Sequence, residues 1–209
     1  EKKIINSKIT VGIIGMGYVG LELLINLAKK KNKIYGFDND IRKINSLKKN
    51  NSYINYIPNQ KIKEASNYST FESSLNKIKL CDIIIMCLPT PLGPNKTPDL
   101  SFIRNATQDL KKYLRKNQLI ILESTTYPGT TQELLVDELK RQFKVGKDFF
   151  IGYSPERIDP GRAVSQNAVP KLVSGYSQQC LRLVKLFYSQ CFETVSVSNL
   201  KTAEITKLF

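Results

Sequence analysis

The sequence predicts an α/β fold, a doubly wound, mostly parallel sheet with helices on both faces. Short apolar, β-branched runs alternate with longer segments of helical period, the pattern of strands buried on both faces and joined by crossover helices. A glycine-rich turn, Gly15-Met16-Gly17-Tyr18-Val19-Gly20, joins the first such run to the first helical segment. The 209 residues, 41% of them hydrophobic, suffice for one large core, with or without the start of a second element.

Strands are expected near residues 8–14, 33–37, 68–71, 82–88, 118–123, 149–153, 171–175 and 192–195. The first helix follows Gly17, where Val19, Leu23, Leu24 and Leu27 recur at helical spacing. Further helices are expected over 40–49, 101–114, 130–143 and 177–190. Pro89, Pro91, Pro94 and Pro98 break the chain after the fourth strand, and Pro155 and Pro160 after the sixth. The loops they mark leave the C-terminal ends of strands, where open α/β sheets bind ligands. Residues 199–209 begin one more helix, with Glu204 and Lys207 a turn apart; it stops without a cap, Gly or Pro, as if the chain were cut. Glu and Lys at that spacing ordinarily decorate a helix surface.

Composition removes several function classes. The chain has no His, which excludes Ser-His-Asp and Cys-His hydrolytic mechanisms within it. Cys81, Cys87, Cys180 and Cys191 lack C-x-x-C spacing, so no metal site is expected. The formal charge is +14, but the lysines are scattered (Lys29 to Lys33, Lys48, Lys49, Lys111, Lys112, Lys116) beside Asn on solvated helix faces. That distribution argues against a nucleic-acid partner; a phosphorylated small molecule, or a Lys- and Asn-rich composition without functional meaning, accounts for it. No apolar run approaches the roughly 20 residues of a membrane span, and the N-terminus lacks a signal-peptide core, so a cytoplasmic protein without a membrane partner is expected.

The glycine turn carries the first chemistry. Gly15 permits a tight turn, Gly17 lets a pyrophosphate approach the backbone at a helix N-terminus, and Gly20 lets helix and strand pack closely. A second strand ends in Asp38, about 20 residues on, where a carboxylate accepts hydrogen bonds from ribose hydroxyls. This combination marks a Rossmann-type dinucleotide site. Asp38 favours NAD over NADP because its charge repels a 2′-phosphate, although Arg42 and Lys43 stand nearby. Leu88, Pro89 and Thr90 end the fourth strand, and Ile121-Leu122-Glu123-Ser124-Thr125-Thr126 ends the fifth, so both loops face the same crevice. The hydroxyls of Ser124 and Thr125 either reach cofactor or a bound water, or cap the helix that follows. After the sixth strand, Glu156 and Arg157 suit a general base and an anion anchor, or a plain surface ion pair.

Taken in order and spacing, GxGYVGL, PTPL, ESTTYPGTT, SPERxDPG, PKLVSG and AEITKL resemble the UDP-glucose/GDP-mannose dehydrogenase family, and within it the bacterial UDP-N-acetylglucosamine 6-dehydrogenases that serve surface polysaccharide synthesis. The resemblance implies oxidation of a UDP-sugar's C6 hydroxyl to a carboxylate with two NAD, through an aldehyde captured by a cysteine and a thioester then hydrolysed. It implies that Tyr18, Val19, Asp38, Lys43, Thr90 and Thr125 contact NAD, with Thr125 also holding a catalytic water. Glu156 would serve in thioester hydrolysis, Arg157 and Ile158 would line the substrate, and Lys207 would be the active-site lysine. The family usually has Pro where this chain has Glu22, a charge expected to weaken NAD binding slightly. Its asparagine four residues past the lysine and its nucleophilic cysteine fall beyond Phe209. The expected organisation is therefore an NAD-binding domain over 1–198 and the start of a central helix over 199–209, cut before the UDP-sugar domain, from a homodimeric parent. Such a chain would bind cofactor without completing the reaction. UDP-glucose or UDP-N-acetylgalactosamine as substrate, a β-hydroxyacid dehydrogenase of the 6-phosphogluconate type, and a non-catalytic dinucleotide-binding module are the alternatives.

Overall fold

The computed structural model describes residues 1–93, 97–156 and 169–206. Pro94, Arg157, Ile158, Pro160 and Lys207 lie outside the described residues.

Among the described residues, eight strands form one sheet: β1 (Thr10–Ile14), β2 (Lys33–Phe37), β3 (Ser69–Glu72), β4 (Ile83–Met86), β5 (Leu119–Leu122), β6 (Phe150–Tyr153), β7 (Lys171–Gly175) and β8 (Thr194–Ser196). Their order is β3-β2-β1-β4-β5-β6-β7-β8, with β1 to β6 all parallel. β7 runs antiparallel to β6, and β8 parallel to β7. The fold is thus the expected doubly wound α/β class, with its strand order reversing between β1 and β4.

Alternation along the central strands explains the two helical layers. Val11, Ile13, Ile83, Ile85, Leu119 and Ile121 face one core, and Ile14, Ile84, Met86, Ile120 and Leu122 face the other. A strand that buries every residue needs cover on both sides, which is why these runs read as continuously apolar. On the first face lie α2 (Tyr18–Ala28), α4 (Asn59–Ser66) and α7 (Gln178–Tyr188); on the second lie α5 (Ser101–Leu110) and α8 (Leu200–Ile205). The expected stripe of α2 is in place, with Leu23, Leu24 and Leu27 buried and Val19 packed against them.

Side-chain caps set several helix starts. Asp40 accepts from the Arg42 N–H to begin α3 (Ile41–Lys48), Ser177 from Cys180 to begin α7, and Asn199 from Thr202 to begin α8. Three short elements lack a sequence pattern strong enough to announce them. α1 (Lys2–Ile5) buries only Ile4, α4 buries only Ile62 and Ala65 on an otherwise polar face, and a 3₁₀ segment at Leu75–Leu80 buries only Ile78. The helix expected over 130–143 is a π turn at Gln132–Val136 running into α6 (Asp137–Leu139).

Asp82, just before β4, fastens the opposite edge of the sheet. Its carboxylate accepts from the Thr10 N–H at 3.1 Å, from Lys3 Nζ at 2.8 Å and from Arg115 at 3.2 Å. Burial raises the Asp82 pKa, and the bonds from Lys3, Thr10 and Arg115 more than offset that, leaving it below the ordinary 3.8. A depressed folded-state pKa contributes stability that is complete above 3.8 and is lost as pH falls through the lower folded value. Urea denaturation of Asp82→Ala is therefore expected to show a loss of about 2 kcal/mol at pH 7. The gap to the unsubstituted chain should close as pH drops below 3.8.

Candidate functional site

At the switch point the three glycines of the turn meet three different surroundings. Gly15 has φ +93°, and a Cβ there would lie 2.2 Å from the Cys87 carbonyl oxygen. A Cβ on Gly20 would lie 1.9 Å from the Gly15 carbonyl oxygen, so the first turn of α2 rests directly on the end of β1. A Cβ on Gly17 would meet nothing within 4 Å. Gly17 is also the N-cap of α2 and supplies no side-chain acceptor. Among the described residues nothing therefore crowds the helix N-terminus at Gly17 within 4 Å, and its amides are a donor set that suits a pyrophosphate.

Asp38 ends at the lip of this turn. One oxygen accepts from the Met16 N–H at 2.8 Å and from Lys43 Nζ at 3.3 Å, and the other from the Asp40 N–H at 2.9 Å. A carboxylate has about four lone-pair positions, so these three bonds fix it and leave acceptor capacity. Arg42 forks onto Asp40, at 3.1 and 3.0 Å, and both cations near Asp38 are thereby engaged with carboxylates. Tyr53, which no sequence signal singled out, donates its hydroxyl to the Met16 carbonyl and pins the turn from the other side. Burial raises its pKa, keeping it a donor. Glu22, the departure in α2, stands near Tyr56, whose pKa is raised by burial and then by the Glu22 charge.

Gly15, Asp38, Lys43, Leu88 and Pro89 line one cavity of about 600 Å³, whose far wall includes Ser73, Phe102, Asn105 and Tyr113. That volume lies in the range of small-molecule and cofactor sites. Tyr18 is exposed and Val19 half-buried on the first turn of α2. Thr90, Ser124 and Thr125 stand outside the cavity lining, at the ends of β4 and β5.

Those two strand ends are stitched together. Ser124 Oγ accepts from the Leu88 N–H at 3.1 Å and donates to the Leu88 carbonyl at 2.8 Å, and Thr90 Oγ1 donates to the Thr125 carbonyl at 2.7 Å. Tyr153 donates its hydroxyl to the Ser124 carbonyl at 3.0 Å. Ser124 is thus a buried cross-link between loops; of the two readings left open for its hydroxyl, the helix cap is not what its hydrogen bonds to Leu88 make. Thr125 is exposed, while Thr126, Thr130 and Thr131 are buried.

The cap comes from elsewhere. Glu204 of α8, fully buried, accepts from the Gly129 N–H at 2.5 Å, the Thr131 N–H at 2.8 Å and the Thr131 hydroxyl at 2.6 Å. Its spacing to Lys207 suggested a surface decoration; the fold makes it the acceptor for the start of the helix after β5.

Glu156, after β6, is half-buried and lies 3.4 Å from Lys171 Nζ. Lys171 in turn lies 2.7 Å from Glu123, whose other oxygen accepts from the Tyr188 hydroxyl. The sequence singled out Glu156 of this group, while Glu123 and Lys171 appeared only inside the ESTTYPGTT and PKLVSG motifs with no role of their own.

The NAD binding domain model of the UDP-glucose/GDP-mannose dehydrogenase family matches residues 9–192. A UDP-N-acetyl-D-glucosamine 6-dehydrogenase from Pseudomonas aeruginosa is 34% identical over 95% of this chain and 48% of its own length. A UDP-N-acetyl-D-mannosamine dehydrogenase from Pyrococcus horikoshii is 30% identical over 95% of this chain and 49% of its own. Among solved structures, an NDP-N-acetyl-D-galactosaminuronic acid dehydrogenase from Methanosarcina mazei superposes with a TM-score of 0.87 at 25% identity, over 99% of this chain and 48% of that one. The chain spans about half the length of the curated relatives it matches.

The surroundings of the glycines separate their roles. Gly20→Ala, with backbone 1.9 Å from the new carbon, should lower folding stability by about 3 kcal/mol in denaturant titrations. Gly17→Ala, facing open space, should stay within about 1 kcal/mol of the unsubstituted chain.

Proposed function

The chain belongs to the UDP-glucose/GDP-mannose dehydrogenase family, and from that premise we propose that it is the NAD-binding part of a nucleotide-sugar 6-dehydrogenase acting on UDP-N-acetylglucosamine. The observation that carries the reading is the crevice between β1 and β4. There an open helix N-terminus at Gly17, a fixed carboxylate at Asp38 and two hydroxyl-bearing loops stitched at Leu88 and Ser124 share one sheet edge. The choice of sugar is supported by the 34% identity to a relative named for UDP-N-acetylglucosamine, against 30% for one named for UDP-N-acetylmannosamine.

NAD, when bound, supplies the hydride acceptor for both oxidation steps. The first-turn amides of α2 hold its pyrophosphate, with Gly17 keeping the approach clear, and Gly15, Tyr18, Val19 and Gly20 shape the same turn. Asp38 accepts from the adenosine ribose with its remaining capacity, and Lys43 stays bound to that carboxylate. Leu88, Pro89, Thr90 and Ser124 form the floor between the two loops, and the exposed Thr125 hydroxyl orients the water for hydrolysis. Glu156 takes that water's proton. By the family resemblance alone, Arg157 and Ile158 would contact the sugar nucleotide and Lys207 would stabilise negative charge developing at the C6 oxygen.

The cysteine that would carry the thioester is none of those present. Cys81, Cys87 and Cys180 are buried and Cys191 half-buried, and burial pushes the Cys81 thiol up to about 12, the Cys87 thiol well above its usual range and the Cys191 thiol upward. We place the nucleophile in the part of the relatives' length that this chain does not span. By the family resemblance, the parent protein is a cytoplasmic homodimer supplying uronic-acid sugars for surface polysaccharide.

Two measurements test the reading. Calorimetric titration should show tighter binding of NAD than of NADP, with Asp38→Ala losing about tenfold in NAD affinity, or about 1.4 kcal/mol. Equal affinities unaffected by the substitution would remove the site assignment. Full-length protein incubated with UDP-N-acetylglucosamine, UDP-N-acetylmannosamine and UDP-glucose should release two NADH per uronate formed from the first. Turnover confined to either of the others would overturn the sugar.

A further inference from the structure

The ends of β5, β6 and β7 enclose a charged cluster that the dinucleotide crevice does not need. Glu123 is fully buried, and its two oxygens are taken by Lys171 Nζ at 2.7 Å and by the Tyr188 hydroxyl. The Lys171 side chain is 9% exposed, with Nζ 5.1 Å from the Tyr188 ring centroid and 5.3 Å from that of Phe192. Held by a carboxylate that is itself held, and packed over two aromatic faces, this ammonium is a fixed point. Burial lowers its pKa, and Glu123 and Glu156 more than offset that, so it remains charged.

Stability alone does not explain a lysine there. An apolar side chain of similar volume over two rings is often as stable as a buried ion pair, since desolvating both charges cancels most of their attraction. The reversed direction of β7 supplies the missing reason. With Tyr153 opposite Ser174 and Gly152 opposite Gly175, continuing the register past β6 brings residue 156 opposite residue 171. The antiparallel strand thus delivers its first residue to the C-terminal edge of the parallel strands, and Nζ lies 3.4 Å from Glu156 Oε2.

We propose that Lys171, clamped by Glu123 and Tyr188, is a positioning residue for Glu156. It holds that carboxylate at the strand edge in the orientation in which it accepts a proton from the hydrolytic water. For the role of Glu156 the inference rests on the proposed function; for its placement it rests on the geometry of the cluster.

The test uses full-length protein and the double variant Glu123→Gln with Lys171→Met, which removes the ammonium without leaving its buried partner charged. Crystal structures of the two should show the Glu156 carboxylate displaced in the variant, and steady-state kinetics a fall in kcat on the order of 100-fold. KM for NAD and for the sugar nucleotide should stay within about twofold. Lys171→Arg, which keeps the cation, should restore most of kcat. Tyr188→Phe, which keeps the packing and frees one oxygen of Glu123, gives a milder second reading and should lower kcat about tenfold with the same KM values. A Glu156 carboxylate that keeps its place without the ammonium overturns the proposal, as does an unchanged kcat in an active variant. Full-length protein that oxidises no nucleotide sugar overturns the proposed function instead, and the two crystal structures still decide the positioning.

Discussion

The ligand edge of this domain depends on how tightly the backbone of the Gly15 turn is pressed against the end of β4. The space left for a Cβ at Gly15 is 2.2 Å from a carbonyl oxygen, and at Gly20 it is 1.9 Å from the Gly15 carbonyl, so three stretches of main chain lie in direct contact. Contact that close requires the polar groups of the turn to be satisfied within it. Gly15 donates to the Phe37 carbonyl, Met16 donates to Asp38, and the Met16 carbonyl receives Tyr53. Asp38 is therefore a structural part of the turn before it is anything else. Its readiness as an acceptor at the cavity lip follows from that bond.

The same requirement extends along the edge. A parallel sheet ends in loops whose backbone groups have no neighbouring strand to pair with, and here buried side chains from distant elements take those groups up. Ser124 serves Leu88, Tyr153 serves Ser124, and Glu204 serves Gly129 and Thr131. The loops are thus rigid at their roots while Thr125 remains exposed at its side chain. Buried carboxylates are costly to desolvate. Glu204 offsets the cost with three donors, and Glu123 with an ammonium and a phenol. Both lie at the two ends of one segment, residues 123–131, so the run richest in hydroxyls is anchored at each end by a buried acid.

The family is one of nucleotide-sugar dehydrogenases, and under the proposed function this rigidity has a use, since hydride transfer requires closely fixed reacting groups. The chain, which spans about half of the relatives' length, brings to one end of the sheet a helix N-terminus at Gly17, a fixed acid and paired loops, the features on which that proposal is built.

The amino-acid sequence by itself determined the layered architecture, because burial on both faces demands apolar residues at every position of β4 and β5 and a helical stripe in α2, and such periodicities are local. It also determined the glycine turn and its acid, since only glycine tolerates those backbone approaches and the spacing to Asp38 is one βαβ unit. Short elements such as α1 and α4 escaped it, each burying only one or two apolar residues. Only the tertiary structure decided what the polar residues do. Glu204 meets Gly129 across 75 positions and Lys171 meets Glu123 across 48, and no local pattern distinguishes such residues from surface charges. Hydrogen-bond partners are chosen by where the sheet brings chain ends together, and an antiparallel β7 beside five parallel pairings is what brought Lys171 to Glu156.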